Sequence, residues 1–288
     1  MSQTLGAYVA LTKPRVLSLL LVTAAAGAVL GAHGFPPIAA LIATLAGGAL
    51  AAGGANAINC FIDRDIDGVM GRTTLRPIPA GTVSPQRALV FGIALVAGSM
   101  AVFLALAPPL AAGIAMLAAV YYVFIYTRWL KRSTPSNIVI GGAAGALPPV
   151  IGWAAVQGEL SLLPLWLFAI VFYWTPPHFW ALALLIKGEY ERARVPMLPI
   201  VRGDEETRRQ ILLYSCVLVP LTLLLTPFGL MGWTYLVSAA ILGGLFLWLA
   251  YRLWRDARVS AARRLFRFSI YYLSLLYAAM VIDRLFLG

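Results

Sequence analysis

The chain has 288 residues, of which 61% are hydrophobic and 11% are charged, and its mean hydropathy is +0.86. An ordinary soluble domain carries about 25% charged residues, and a disordered chain needs low hydrophobicity with high charge, so both classes are excluded. The net charge of +11 reflects 22 Lys and Arg against 11 Asp and Glu. In a soluble protein this excess would suggest nucleic acid binding, whereas in a membrane protein it first reports the side on which each loop lies.

Nine apolar stretches, each long enough to cross a bilayer as a helix, follow one another along the chain. Pro, Gly or charged residues separate most of them. They lie at about residues 14–34, 38–60, 87–107, 109–127, 137–157, 161–186, 210–228, 232–254 and 267–287. The pattern predicts an all-α polytopic membrane protein, with residues 1–288 forming one integral membrane domain.

Basic residues lie before the first span and after every second span that follows. This arrangement places 21 of the 22 Lys and Arg on one side and leaves only Arg284 on the other. The positive-inside rule therefore predicts a cytoplasmic N-terminus and a C-terminus outside. Cleavage of the first span as a signal peptide would leave the later alternation unexplained, so we expect that span to be retained.

Acidic residues are scarce, and three of them follow the second span closely. Asn59, Asp63 and Asp67 are spaced i, i+4 and i+8, so on a helix they would share one face. No basic residue lies four positions away to neutralise that face, and carboxylates near the bilayer are costly unless a cation joins them. Carboxylate and amide oxygens suit Mg²⁺, so the spacing predicts a metal site at the end of this span.

Two arginines follow the triad on a loop rich in Pro and Gly. Arg72 and Arg76 have the forked geometry that binds phosphate oxygens in pairs. Residues 59–76, the first acidic segment, therefore favour a metal and diphosphate site. The alternative is a solvated loop that neutralises itself and sets the topology.

A second charged stretch, residues 187–199, follows the sixth span on the same predicted side and is called the second acidic segment. It offers Glu189 as a further metal ligand beside Tyr190 and several basic residues. Its acids and bases could equally pair with one another. Recurrence of such a segment four spans later favours a parallel internal repeat with two facing half-sites. Residues 126–137, with Tyr126, Lys131 and Arg132, lie on the same predicted side.

Several strings together resemble the UbiA-type membrane prenyltransferases. Asn59, Asp63 and Asp67 form the N-x-x-x-D-x-x-x-D string of that family. Blocks at 130–142, 148–153, 174–180 and 195–199 resemble the branch whose prenyl acceptor is heme, and Trp-Thr-Pro-Pro-His-Phe-Trp at 174–180 is the block that selects it. Glu189 stands where that branch has Asp, so the carboxylate is kept but is one methylene longer.

The resemblance implies a UbiA-like bundle around a central cavity, multi-pass in the cell inner (plasma) membrane. It implies transfer of a farnesyl group from farnesyl diphosphate to a vinyl group of protoheme IX, with Mg²⁺ assisting departure of the diphosphate. The implied metal ligands are Asn59, Asp63, Asp67 and Glu189, of which the first three are also the implied catalytic residues. The implied substrate-binding residues are Arg72, Arg76, Tyr126, Lys131, Arg132, His178, Glu189 and Tyr190. Implied partners besides the lipid bilayer are heme A synthase or a terminal oxidase assembly; no nucleic acid is expected.

His178 is one of two histidines, and it follows two prolines in the sixth span. Pro176 and Pro177 predict a break or kink, which would present the imidazole to a cavity and let it orient heme through the iron or a propionate. The alternative is a buried histidine whose ring is satisfied by a neighbouring hydroxyl.

Two other functions remain open from the sequence. A prenyltransferase of the same family could act on an aromatic quinone precursor instead of heme. A transporter would use intramembrane acids as an ion path, but these acids lie at span ends, and both charged segments lie on one predicted side.

Overall fold

The structure, a computed structural model, describes residues 2–286 and is built of helices packed side by side. Within that part of the chain, nine long helices alternate with short ones, as the apolar stretches predicted. The long helices are α1 (Pro14–Ala32), α2 (Ile38–Ile62), α3 (Pro85–Leu106), α4 (Pro109–Ser133), α5 (Asn137–Gln157), α6 (Leu162–Leu185), α7 (Gly203–Leu223), α8 (Trp233–Asp256) and α9 (Val259–Phe286). The short ones include Ser2–Leu11, Arg64–Val69, Lys187–Arg192 and Leu198–Val201.

Eight of the nine long helices in the described residues are long and apolar enough to cross a membrane, so the chain is a multi-pass membrane protein. The exception is α7, whose first turn carries three acids, Asp204–Glu206. The helix at the span predicted for 210–228 differs from it at both ends, because it begins in the charged loop and ends at Leu223. Turns around Gly229, where φ is +70°, follow it.

Other boundaries also differ from the prediction for the same reason. Helix α4 continues past residue 127 to Ser133, and α9 begins at Val259 rather than near residue 267. The helix Ser2–Leu11 was not predicted at all. An apolar stretch marks the length of a helix that can lie inside the bilayer, whereas the helix itself continues into polar sequence on either side.

The bundle closes on itself, since α9 packs against α1 as well as against α8 and α6. The tightest contact joins α1 to α5 and depends on glycine. A Cβ on Gly27 would lie 2.0 Å from the Pro149 carbonyl oxygen, and one on Gly152 would lie 1.9 Å from the Ala24 carbonyl oxygen. Small residues let membrane helices approach closely where no hydrophobic force drives them together. This contact holds the first and fifth helices against each other beside the centre of the bundle.

Two stretches inside the long helices are π-helical, Ala43–Gly47 in α2 and Tyr121–Leu130 in α4. Such widened turns occur frequently at functional sites. In α4 the Thr127 hydroxyl donates to the Tyr122 carbonyl oxygen five residues earlier, at 2.8 Å. The rings of Tyr122 and Tyr126 stack with centroids 5.4 Å apart. The wider turn thus changes which side chains of α4 share a face.

Helix α6 runs from Leu162 to Leu185 without a break at Pro176 and Pro177. The predicted break is therefore absent, and a kink within the continuous helix stays a prediction. Each proline lacks an N–H, so the carbonyls one turn earlier lose their usual helical donor. The neighbouring Thr175 hydroxyl donates to the Val171 carbonyl at 2.8 Å.

Candidate active site

A cavity of about 580 Å³ lies at the centre of the bundle. Among the described residues, helices α1, α2, α4, α5, α6 and α9 line it, together with parts of both acidic segments. Its size lies within the range of roughly 300–1,000 Å³ that is usual for small-molecule sites. The charged lining residues lie at or beyond the helix ends on the basic side, and the rest of the wall is mostly Ala, Gly, Leu and aromatic residues with a few hydroxyl side chains.

Asn59, Asp63 and Asp67 are all buried, and Asn59 and Asp67 line the charged end of this cavity while Asp63 lies behind them. Helix α2 ends at Ile62, and the next helix starts at Arg64, so the three residues are not on one continuous helix as the spacing implied. The backbone nevertheless keeps the spacing of four. The Asp63 N–H donates to the Asn59 carbonyl and the Asp67 N–H to the Asp63 carbonyl, both at 2.8 Å. The Asn59 amide also donates to Asp63 Oδ2 at 2.8 Å.

A basic side chain neutralises each buried acid, from α4 for Asp63 and from later in the same segment for Asp67, although no basic residue lies four positions away. Lys131 Nζ donates to Asp63 Oδ2, and Arg132 Nη2 lies 3.4 Å from Asp63 Oδ1. Arg76 Nη1 lies 2.7 Å from both carboxylate oxygens of Asp67. Burying a charge is tolerable only when it is paired and hydrogen-bonded. These pairs therefore offset the cost of burying the two carboxylates.

Asp65, between the two buried acids, points away from them. Its side chain is 59% exposed, and Arg132 binds both of its oxygens at 2.7 and 2.8 Å. The hydrogen bond from Arg132 lowers the pKa of Asp65 from 3.8 to about 2. Arg132 thus bridges an exposed acid and a buried one at the rim of the site.

Lys13 is a site residue that sequence reasoning missed, since its charge was assigned to topology. It lies between the helix Ser2–Leu11 and α1 with φ at +55°, and its ammonium donates to Asn59 Oδ1 at 2.5 Å. Burial lowers the pKa of Lys13 from 10.5 to about 8. A single lysine before an apolar stretch carries no signal for this role, because the contact depends on how two helices pack.

Arg72, Tyr126 and Tyr190 line the same end of the cavity. The guanidinium of Arg72 lies 5.8 Å from the centre of the Tyr190 ring. Burial raises the pKa of Tyr190, so its hydroxyl stays protonated and can donate to an anion. Residues from three separate stretches of sequence therefore meet at one region that can bind an anion.

The second acidic segment contributes less directly. Glu189 Oε1 pairs with Arg192 three residues later, and its other oxygen, Oε2, is buried without a hydrogen-bond partner. A Cβ on Gly71 would lie 3.4 Å from Glu189 Oε1, so the two acidic segments touch. Within the described residues, however, no three His, Cys, Asp or Glu side chains lie close enough together to form a metal cluster.

The donor set fits Mg²⁺ all the same. It consists of hard oxygens from two buried carboxylates and one amide, and Glu189 adds a buried oxygen that has no partner. Mg²⁺ takes one or two protein carboxylates and completes its shell with waters and substrate phosphates. A metal cluster made of protein alone is therefore not needed.

His178 lines the cavity from α6, in the apolar part of its wall. Its ring is stacked between Trp174 and Phe266, with centroid distances of 4.3 and 5.0 Å. Its Nδ1 lies 2.7 Å from the hydroxyl of Ser269 on α9. The structure therefore supplies both of the sequence-based alternatives, a hydroxyl partner and a position on the cavity wall.

Comparisons with known proteins agree with this architecture. The UbiA prenyltransferase family matches residues 20–275. A Trichodesmium erythraeum protein named protoheme IX farnesyltransferase is 53% identical over 98% of this chain and 87% of its own length. One of the same name from Chloroflexus aurantiacus is 51% identical over 98% of this chain, which spans only 48% of that longer protein.

Solved structures share the fold at low sequence identity. The apo structure of a UbiA homolog from Aeropyrum pernix K1 has a TM-score of 0.75 and 21% identity, over 94% of this chain and 98% of that one. A UbiA homolog from Archaeoglobus fulgidus, solved with DMAPP and Mg²⁺, has a TM-score of 0.68 and 15% identity, over 94% of this chain and 99% of that one.

Proposed function

The chain belongs to the UbiA prenyltransferase family, and we propose that it transfers a farnesyl group from farnesyl diphosphate to a vinyl group of protoheme IX. The products are heme O and diphosphate. The observation that carries the proposal is the division of one cavity into a charged end and an apolar body. The relatives named protoheme IX farnesyltransferase, at about half identity over nearly the whole chain, support heme as the acceptor.

The charged end is suited to diphosphate. Asn59, Asp63, Asp67 and Glu189 would hold Mg²⁺, which neutralises charge on a departing diphosphate when it is bound. Basic side chains donate hydrogen bonds to the phosphate oxygens, and charge-assisted bonds of this kind are the strong ones. This set is Arg72, Arg76, Lys131 and Arg132, with Lys13 added by its contact to Asn59.

The apolar body is suited to the prenyl chain and the acceptor. When the carbon–oxygen bond of farnesyl diphosphate breaks, the diphosphate leaves with the electron pair and an allylic cation remains. Ring faces such as those of Tyr126 and Trp174 on the cavity wall stabilise a cation, and the mostly apolar wall holds little water. The vinyl π electrons then form the new carbon–carbon bond. Water adds to the resulting cation and loses a proton.

The finer topology belongs to the same proposal. We place the N-terminus and both acidic segments in the cytoplasm and the C-terminus outside the cell inner membrane, because 21 of the 22 Lys and Arg then lie inside. We propose residues 1–288 as a single prenyltransferase domain. A heme A synthase or a terminal oxidase assembly would be the partner that takes up the farnesylated heme.

An assay of products tests the function. Membranes that contain the protein, given protoheme IX, farnesyl diphosphate and Mg²⁺, should form a heavier and more apolar heme and release diphosphate in equal amounts. Chelation of the metal should stop both products. Heme recovered unchanged while a hydroxybenzoate is prenylated would overturn the assignment of the acceptor, and transfer unaffected by the chelator would overturn the role of Mg²⁺.

A further inference from the structure

The hydrogen bonds around Ser269 indicate the tautomer of His178. The Ser269 hydroxyl oxygen makes two short contacts, one to the Phe266 carbonyl oxygen at 2.7 Å and one to His178 Nδ1 at 2.7 Å. Each contact needs one proton, and the hydroxyl has only one to give. A carbonyl carries none, so the arrangement that satisfies both contacts has the hydroxyl donating to Phe266 and His178 Nδ1 donating to the hydroxyl. The neutral imidazole is therefore protonated at Nδ1 and has its free lone pair on Nε2.

The surroundings also fix the direction of the ring. His178 is stacked between Trp174 and Phe266 at interplanar angles of 16° and 29°. The Trp174 indole N–H donates to the backbone carbonyl of Ser269 at 2.8 Å, so one serine positions both His178 and a ring that covers it. No hydrogen-bond partner occurs for His178 Nε2 among the described residues, and the side chain lines the cavity.

We propose that His178 Nε2 is the axial ligand of the heme iron and that Ser269 is the positioning residue that sets its tautomer. This rests on the proposed function, because it requires heme to occupy the cavity. A histidine that ligates a metal through one nitrogen almost always donates its other N–H to an acceptor, which is the arrangement found here. Histidine is also a common proximal ligand of heme iron.

The position of His178 suits this role. It lies about 10 Å along α6 from the helix end at Leu185, at 1.5 Å per residue, and so below the charged end of the cavity. Iron held there places the porphyrin in the apolar body. The vinyl groups are on the porphyrin rim, so the rim can face the charged end where the allylic carbon forms. Iron coordination would thereby position the acceptor for transfer.

The test uses purified full-length protein in detergent with two probes, ferric protoporphyrin IX and iron-free protoporphyrin IX. The wild type should bind the ferric form with the absorption and electron paramagnetic resonance signals of histidine ligation, and more tightly than the iron-free form. His178→Ala should lose the signals and bind both porphyrins equally. Free imidazole should restore the signals if the cavity is intact. The only other histidine supplies the control, so His33→Ala should change nothing.

Ser269→Ala tests the positioning role. It should weaken binding of the ferric form about tenfold, as loss of an outer-shell partner does, and leave binding of the iron-free form unchanged. Ser274→Ala is the matched control, because Ser274 is a half-buried serine on the same helix whose hydroxyl donates to the Ile270 carbonyl. Equal weakening of both porphyrins in His178→Ala would show a merely structural histidine and overturn the proposal.

The two hypotheses fail in different ways. Histidine ligation of the ferric probe that depends on His178, in a protein that transfers no farnesyl group, would support the ligand and overturn the function. Farnesyl transfer to heme with an unchanged ferric spectrum in His178→Ala would support the function and overturn the ligand.

Discussion

The two acidic segments differ in where their charges find partners. In the first, Asp63 is fully buried and pairs with Lys131, which lies 68 positions away. In the second, Glu189 is 21% exposed and pairs with Arg192, three positions away. The first arrangement exists only when α2 and α4 are packed together. The second needs nothing beyond one turn of helix.

This difference indicates which segment is the centre of the site. A local ion pair near the surface contributes little and forms in many loops that have no function. A buried acid that depends on a cation from another helix is costly to assemble and costly to disturb. The parallel repeat was predicted from the positions of the two segments in the chain. Their acids are nevertheless paired in different ways. Substitutions that remove one charge at a time can separate the two cases.

The largest effect is expected in the first segment. Asp63→Asn and Asp67→Asn keep the shape of the side chain but remove a carboxylate, so kcat for farnesyl transfer should fall by at least about 100-fold. Asp65→Asn is the matched control within the same segment. Because Asp65 is exposed, kcat of the Asp65→Asn variant should stay within about twofold of the wild-type value. Rates are measured by product formation in membranes with equal amounts of protein. Equal rates for all three variants would contradict a central role of the buried acids.

A smaller effect is expected from the partner on α4. Lys131→Met removes the cation that neutralises Asp63, which should raise KM for farnesyl diphosphate about tenfold. It should also destabilise the protein by about 3 kcal/mol, because a buried carboxylate loses one partner. The exposed Arg128→Met on the same helix is the control for both effects. Thermal unfolding in detergent, with and without substrate, measures the second effect. A normal Tm for Lys131→Met would show that Arg132 alone suffices.

The smallest effect is expected in the second segment. Glu189→Gln keeps the side-chain length and leaves its local pair weakened, so kcat should fall less than tenfold, in line with loss of one supporting ligand. Glu191→Gln, an exposed neighbour, should have no effect. Titration of activity against Mg²⁺ is the informative measurement, since a metal ligand shifts the concentration for half activity. A fall in kcat for Glu189→Gln as large as that for Asp63→Asn would show that the two segments contribute equally to catalysis.

Hydropathy was a sufficient guide to the architecture but not to its boundaries. All nine predicted spans correspond to a long helix in the described residues. The misjudged limits were those of α4, α7 and α9, whose polar turns extend beyond the apolar stretch. A bilayer constrains only the residues that lie inside it, so the sequence pattern reports the crossing and is silent on the helix beyond.

For the site, the spacing of Asn59, Asp63 and Asp67 pointed to residues that the structure buries together. The same reasoning could not find Lys13 or the pairing of Lys131 with Asp63, because each depends on contact between distant helices. Ser269 had no sequence signal at all. Ser269 lies 91 positions from His178 in the sequence, and the two side chains are in contact only because α6 and α9 are adjacent.

The mutual neutralisation of acids and bases at the charged end has a thermodynamic consequence. A cation that binds Asp63 or Asp67 competes with Lys131 or Arg76 for the carboxylate, and a diphosphate competes with the acids for those bases. If both ligands bind as proposed, each therefore removes a competitor of the other. Linkage then requires that each raise the affinity for the other by the same factor. Metal and diphosphate would bind as cooperative ligands, and neither would bind tightly alone.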